Sequence, residues 1–240
     1  MSRLKDKVVL ITGAAGSVGV AVAEAVRAAG GVAITSDLAG LSSDHVLDVT
    51  AERDWVHVLG EVGKHHDRLD GLVNAAGLAV LGTIDETDFA TWRRVMSVNL
   101  DGTFLGCKHA LALLKRRGGS IVNVSSVAGL IGGHNFTAYN ASKGGVRLLT
   151  KSVALYGARL DPQVRCNSVH PAFLEGPMID SILAQTDYPE GARSRLTRDI
   201  PLGRFGTAAE VADMCVYLLC DESRFVTGAE FVIDGGLTAR

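Results

Sequence analysis

Seven short apolar runs, separated mostly by helix-length segments, constrain this 240-residue chain more than any other feature. KVVLITG (7–13), VAITSD (32–37), HVLDV (45–49), GLVNAAG (71–77), SIVNVSS (120–126), VRCNSVHP (164–171) and EFVIDGG (230–236) are nearly continuous in apolar or small residues, the pattern of strands covered on both faces. Helical segments are expected at 18–30, 51–66, 88–117, 138–160 and 207–220. The alternation predicts a doubly wound α/β fold, one parallel sheet of about seven strands with helices on both sides. One crossover is too short for a helix: only LAGLSSD (38–44) joins the second and third runs, where a helical crossover needs a dozen or so residues, so a loop or single turn is expected.

Nothing in the middle of the chain reads as a linker or a repeat, so residues 1–240 are expected to form a single domain. A formal charge of -2 with interspersed signs offers no basic face for nucleic acid. Charge or glycine breaks every apolar stretch before about 18 residues, so no membrane span is expected. Lys5 and Lys7 ahead of VVLITGAAGSVGVAVA have the basic-then-apolar look of a secretory leader, but the same run serves as strand, glycine turn and helix start. Cys107, Cys166, Cys215 and Cys220 lack CxxC spacing, His65 and His66 would diverge on a helix, and no HExxH occurs. Reduced buried thiols in a cytoplasmic protein without a metal are the expectation.

TGAAGSVG (12–19) lies between the first strand and the first helix, where glycines let the backbone approach a pyrophosphate and the helix N-terminus offers free N–H groups. Gly13, Gly16, Ser17, Val18 and Gly19 are therefore candidate cofactor contacts. Asp37 ends the second strand 18 residues after Gly19. A carboxylate there accepts from the hydroxyls of an adenosine ribose and repels a 2′-phosphate, and no Arg or Lys in the glycine loop would neutralise one, so NAD is favoured over NADP. Asp48, Val49, Asn74 and Ala76 follow at the carboxyl edge of the sheet, where ligands bind in open α/β folds. Asp48 could equally cap the helix that begins near Thr50.

Tyr139 and Lys143, in TAYNASKGGVRLL, are one helical turn apart and should leave the same face. With the glycine pattern, the NAAG strand, Asn99 in VNL, the SS pair at the end of the fifth strand and the turn at Pro171, they give the whole chain a resemblance to the short-chain dehydrogenase/reductase family, whose fold is Rossmann-like. The resemblance implies that Asn99, Ser126, Tyr139 and Lys143 form the catalytic set, Ser126 rather than Ser125 because the family's serine lies 13 residues before its tyrosine. It adds Pro171 and Leu174 to the cofactor contacts, has Lys143 bond the nicotinamide ribose, and gives Asn99 a water that relays protons from Lys143, the alternative being a structural amide that pins the helix. A tyrosine pKa near 10 is too high for a base at neutral pH, so Lys143 is expected to favour the phenolate.

Three positions depart from the family pattern: Ser17 stands for a glycine, Ala75 for the second asparagine of NNAG, and Gly176 for a threonine that contacts the nicotinamide amide. All three bear on cofactor grip and none on proton transfer. Substrate-facing segments are expected at 78–82, 127–136 and a lid over 173–200, apolar enough for a neutral secondary alcohol or ketone, cyclic and steroid-like ones included. An inward-turned Arg193, Arg195 or Arg198 would instead select an anionic substrate. The resemblance implies a homotetramer built on the long helices and the C-terminal segment. Rival readings are a dihydrodiol dehydrogenase, which NAAG and the short crossover also resemble, a β-ketoacyl reductase, which Asp37 disfavours, and a non-catalytic NAD-binding sensor, which the four-residue catalytic set disfavours.

Overall fold

The computed structural model describes residues 2–239. Its strands are β1 (Val8–Thr12), β2 (Val32–Asp37), β3 (His45–Val46), β4 (Gly71–Asn74), β5 (Gly119–Val124), β6 (Val164–Pro171) and β7 (Glu230–Ile233). All pair in parallel in one sheet of order β3-β2-β1-β4-β5-β6-β7. The order reverses between β1 and β4, and such a switch point opens a crevice at the carboxyl ends of the strands.

Alternate side chains of each strand enter opposite cores. Leu10, Leu72, Ile121 and Cys166 meet Trp55, Cys107 and Ala110, carried by α2 (Glu52–His66) and α4 (Gly102–Leu114). Val9, Ile11, Val73, Val122 and Val169 meet Val22, Val26, Cys215 and Leu218, carried by α1 (Ser17–Ala28) and α8 (Ala208–Leu219). Trp55 is fully buried and its indole N–H is not wasted: it donates to the Val49 carbonyl at 3.0 Å. Thr207 and Glu210 form a reciprocal capping box at the start of α8, each side chain bonding the other's backbone N–H.

Several expected boundaries shift. Residues 38–44 form turns and bends with no helix, as the crossover length requires. Asp44 holds this loop to the sheet by accepting from the Thr35 N–H at 2.8 Å and its hydroxyl at 2.7 Å, and β3 ends at Val46 instead of Val49. The helix expected over 88–117 is α3 (Phe89–Met96), a π turn (Ser97–Asp101) and α4, ending at Leu114. In that wider turn the Thr103 hydroxyl donates to the Asn99 carbonyl at 2.7 Å. π turns recur at functional sites. Residues 173–200 contain α6 (Pro177–Leu183) and α7 (Pro189–Asp199), whose Ile179, Leu183 and Leu196 pack with Ile200 and Phe205 in a third small core.

Candidate active site

The switch-point crevice has a volume of about 1490 Å³, beyond the roughly 300–1,000 Å³ of a single small-ligand pocket. Gly13, Gly16, Ser17, Val18, Gly19, Asp37, Asp48, Val49, Ala76, Ser126, Tyr139, Lys143, Pro171 and Leu174 all line it. Residues far apart in sequence are brought together as their motifs predict.

At the glycine end, the chain turns off β1 with Gly13 at φ +63, and a Cβ there would lie 2.6 Å from Ala76 Cα. A side chain would push the glycine loop off the end of β4. A Cβ on Gly19 would meet the Gly13 carbonyl at 2.2 Å, so the first turn of α1 is also pressed onto the loop. The Thr12 hydroxyl accepts from the Ala75 and Ala76 N–H groups, each at 3.2 Å, tying the two strands at the switch point. α1 has no side-chain cap, leaving its first N–H groups to an anion. Bare backbone, close approach and a helix N-terminus fit a pyrophosphate.

Asp37 projects beside this loop, accepting from Ala15 N and Leu38 N, both at 2.8 Å. Asp48 makes a tight turn, accepting from the Thr50 N–H at 2.9 Å and hydroxyl at 2.7 Å. It does not cap α2, whose N-cap is Ala51 without a side-chain bond.

Two expected site residues are turned away. Asn74 is buried and its amide donates to Asn123 Oδ1 at 2.8 Å, beneath the sheet edge and outside the crevice lining. Asn99 is fully buried in the π turn. Its Oδ1 accepts from Leu78 N at 2.9 Å, while its Nδ2 donates to Leu78 O at 2.9 Å and Ser142 Oγ at 3.0 Å. Those three bonds leave one lone pair of the side chain for anything else. The amide anchors the turn after β4 to α5 (Thr137–Gly157).

At the other end, α5 carries Tyr139 and Lys143 on one face, with Lys143 Nζ 5.7 Å from the Tyr139 ring centroid. Ser126 faces the same space from the end of β5, while Ser125 turns to α5 and donates to the Lys143 carbonyl at 2.9 Å. Burial adds an effect that spacing does not carry. The enclosing walls raise the Tyr139 pKa above its ordinary value, against a smaller opposing effect of its hydrogen bond with Ser126. Burial lowers Lys143 to about 8, and its Nζ donates to the Val124 carbonyl at 2.8 Å. Loss of hydration disfavours both charged forms.

Sequence reasoning missed His170. It is fully buried behind Ser126. A carbonyl holds no proton, so the 3.0 Å contact to Ser126 O must be Nδ1–H donating, leaving Nε2 to accept from Ser168 Oγ at 2.8 Å. Burial lowers its pKa, and this neutral tautomer braces the Ser126 backbone. Its place next to Pro171 gave no hint of that. Leu38, Leu41 and Leu237 also line the crevice, the last from the end of the chain, where no motif marks it.

A family model described as enoyl-(acyl carrier protein) reductase matches residues 13–238. An NADP-dependent (R)-specific alcohol dehydrogenase of Lentilactobacillus kefiri is 37% identical over 99% of this chain and 99% of its own length. A cyclopentanol dehydrogenase of Comamonas testosteroni is 37% identical over 100% of both chains. A 3-alpha-(or 20-beta)-hydroxysteroid dehydrogenase of Mycobacterium bovis is 37% identical over 99% of this chain and 91% of its own. Among solved structures, the aldohexose dehydrogenase of Thermoplasma acidophilum superposes with a TM-score of 0.90 at 35% identity, covering 100% of this chain and 96% of that one.

Proposed function

The chain belongs to the short-chain dehydrogenase/reductase family and is an oxidoreductase of alcohols and ketones, and from that premise we propose that it transfers hydride between NAD(H) and an apolar secondary alcohol or ketone. The observation that carries this reading is the convergence of Ser126, Tyr139 and Lys143 on one end of a crevice whose other end is a glycine cradle.

Bound nicotinamide supplies or accepts the hydride at the carbinol carbon. The chain's own residues handle the oxygen. In ketone reduction, Ser126 donates a hydrogen bond to the carbonyl oxygen and Tyr139 gives it a proton as hydride reaches the carbon; oxidation runs the same steps backwards. A phenol whose pKa is raised keeps its proton near neutrality, which suits the acid of the reduction direction. Lys143, at about 8, can hand a proton back to Tyr139 without a large uphill step. Asn99 serves by holding Leu78 and Ser142 around Lys143. The cofactor contacts are Gly13, Gly16, Ser17, Val18, Gly19, Asp37, Asp48, Val49, Ala76, Pro171 and Leu174, with Tyr139 and Lys143.

NAD is favoured by the carboxylate of Asp37 beside Ala15, although one relative is by name NADP-dependent. Lys143 and Arg94 are the cations among the described lining residues, and neither belongs to the glycine loop or the end of β2. A neutral substrate is favoured by the outer walls, which include Ile131, Phe136, Phe173, Met178, Ile182 and Leu196. Arg193 is paired with Glu175 and lies over the Phe205 ring at 4.7 Å, and Arg195 and Arg198 are exposed and outside the lining. α6 and α7 then act as the lid of a single domain.

No helix among the described residues is long and apolar enough to cross a membrane, and four buried free thiols suit a cytoplasmic location. Exposed Phe104, Leu148, Leu155 and Tyr156 on α4 and α5 suit burial in a homotetramer. The test is a panel of cyclic ketones, steroid ketones and acyl thioesters followed by nicotinamide absorbance with NADH and with NADPH. Turnover of an apolar cyclic or steroid ketone with NADH is expected; turnover only of acyl thioesters, or only with NADPH, would replace this reading.

A further inference from the structure

The side chain after the tyrosine is half-buried and bonds neither the cofactor cradle nor its own helix. Asn140 instead spends its amide on the segment that crosses above it. Its Nδ2 donates to the Ala128 carbonyl at 2.6 Å and to the Ile131 carbonyl at 2.9 Å, and its Oδ1 accepts from Gly133 N at 3.1 Å. Three backbone groups spread over six residues are thus gathered by one side chain. After the short turn Val127–Gly129 the segment has no helix or strand up to α5; it makes turn bonds of its own, and a bridge to Gly82 holds its far end at Asn135 and Phe136, so Asn140 is the side chain that ties down its middle. Yet Ile131, Gly132, Gly133 and Phe136 all line the crevice.

We propose that Asn140 is a positioning residue that sets the distance between the substrate-facing loop 127–136 and the hydroxyl of Tyr139, and so determines how a substrate is oriented for proton transfer. The inference rests on the proposed role of Tyr139. The physical reason is that the amide and the phenol leave adjacent positions of one helix, so any shift of the loop is measured from the same rigid element that carries the acid. An asparagine is suited to this because it donates twice and accepts once from a single planar group. An aspartate of the same shape could accept from Gly133 but would set its oxygens against two carbonyls. Displacement of a reacting group by about 1 Å costs up to about a hundredfold in rate, which makes loop placement a matter of selectivity as well as binding.

The test compares wild type with Asn140→Ala and Asn140→Asp in three readouts: cofactor affinity by nicotinamide fluorescence, steady-state kinetics and enantiomer ratio on a prochiral ketone, and amide hydrogen exchange. Both variants should bind NADH within about twofold of wild type, since no cradle residue is touched. The kcat for the ketone should fall by about tenfold or more, with a smaller change in KM, and the enantiomer ratio should fall, Asp being at least as impaired as Ala. Exchange should accelerate in 127–133 and not in 13–19. Unchanged kcat, enantiomer ratio and loop exchange in a folded variant would overturn the proposal. Wild type alone gives a further check: Gly133's amide should exchange more slowly than that of Gly132, which has no partner among the described residues, and equal rates would overturn the proposal. The exchange readouts hold even if no ketone is turned over, a result that would count against the proposed function and not against the loop's attachment.

Discussion

Lys143 gives its hydrogen bond to the Val124 carbonyl at 2.8 Å while its ammonium stands 5.7 Å from the Tyr139 ring centroid. The lysine is only 5% exposed. Its charge is thus held by one carbonyl dipole and a ring face, which is too little to replace bulk water, and its pKa drops to about 8. The tyrosine is pushed the other way, toward its protonated form. These opposed shifts organise most of what the site should do.

The two directions of reaction should depend differently on pH. Ketone reduction needs the phenol, which is present across the neutral range, so its kcat should be flat there. Alcohol oxidation needs Tyr139 to accept a proton and should climb as the medium turns alkaline. Initial rates in both directions across that range check this, and parallel profiles would contradict it.

Stability should carry the signature of Lys143. Its folded pKa lies near 8 and its ordinary value is 10.5, so between these the unfolded chain binds more protons and stability rises with pH. The window corresponds to roughly 3 kcal/mol at most. Lys143→Met should abolish this rise in cofactor-free protein. Its melting temperature at neutral pH should be at least that of wild type, because the buried charge is removed, even with Val124 O left unpaired. Thermal melts across the window, wild type against variant, measure both.

Asp37→Ala should lower NAD affinity and raise the ratio of NADP to NAD turnover by about tenfold or more, by removing the charge that repels a 2′-phosphate. Because Asp37 also bonds Ala15 N, affinity for both cofactors should show some loss from a loosened glycine loop. An unchanged cofactor ratio would remove Asp37 from the discrimination.

Gly13→Ala should weaken dinucleotide binding by more than about tenfold and lower stability by about 1–3 kcal/mol. The added methyl meets Ala76 Cα at 2.6 Å and the backbone is left-handed there, so relief requires opening the switch point. Titration calorimetry and denaturant melts separate the two effects.

The sheet, its helices and the crevice lining were legible because each rests on local pattern: strand runs, a glycine turn, an i,i+4 pair, and a fixed order of motifs. What was not legible depends on which way a side chain turns once the chain is folded. Asn74 and Asn99 sit at the expected places but face Asn123 and Leu78. The π turn escapes a 3.6-residue period because it widens the helix by a single residue. Spacing likewise gives the proximity of Lys143 and Tyr139 and says nothing of how much water the crevice walls remove.

The Ser17 and Gly176 departures resolve into one contact, since a Cβ on Gly176 would lie 2.9 Å from Ser17 Oγ. A side chain at 176 would crowd the Ser17 hydroxyl at the cradle. Nothing in the structure explains Ala75 beyond its backbone bond to Thr12.

The most direct test removes one oxygen atom. Tyr139→Phe keeps a ring that packs 6.0 Å from Phe136 but has no proton to give. With NADH and the best ketone of the panel, the variant should bind NADH as wild type does and lose about 10²–10⁴ of the hydride-transfer rate in a single turnover. Full single-turnover activity in the variant, with cofactor bound, would contradict the assignment of proton transfer to Tyr139.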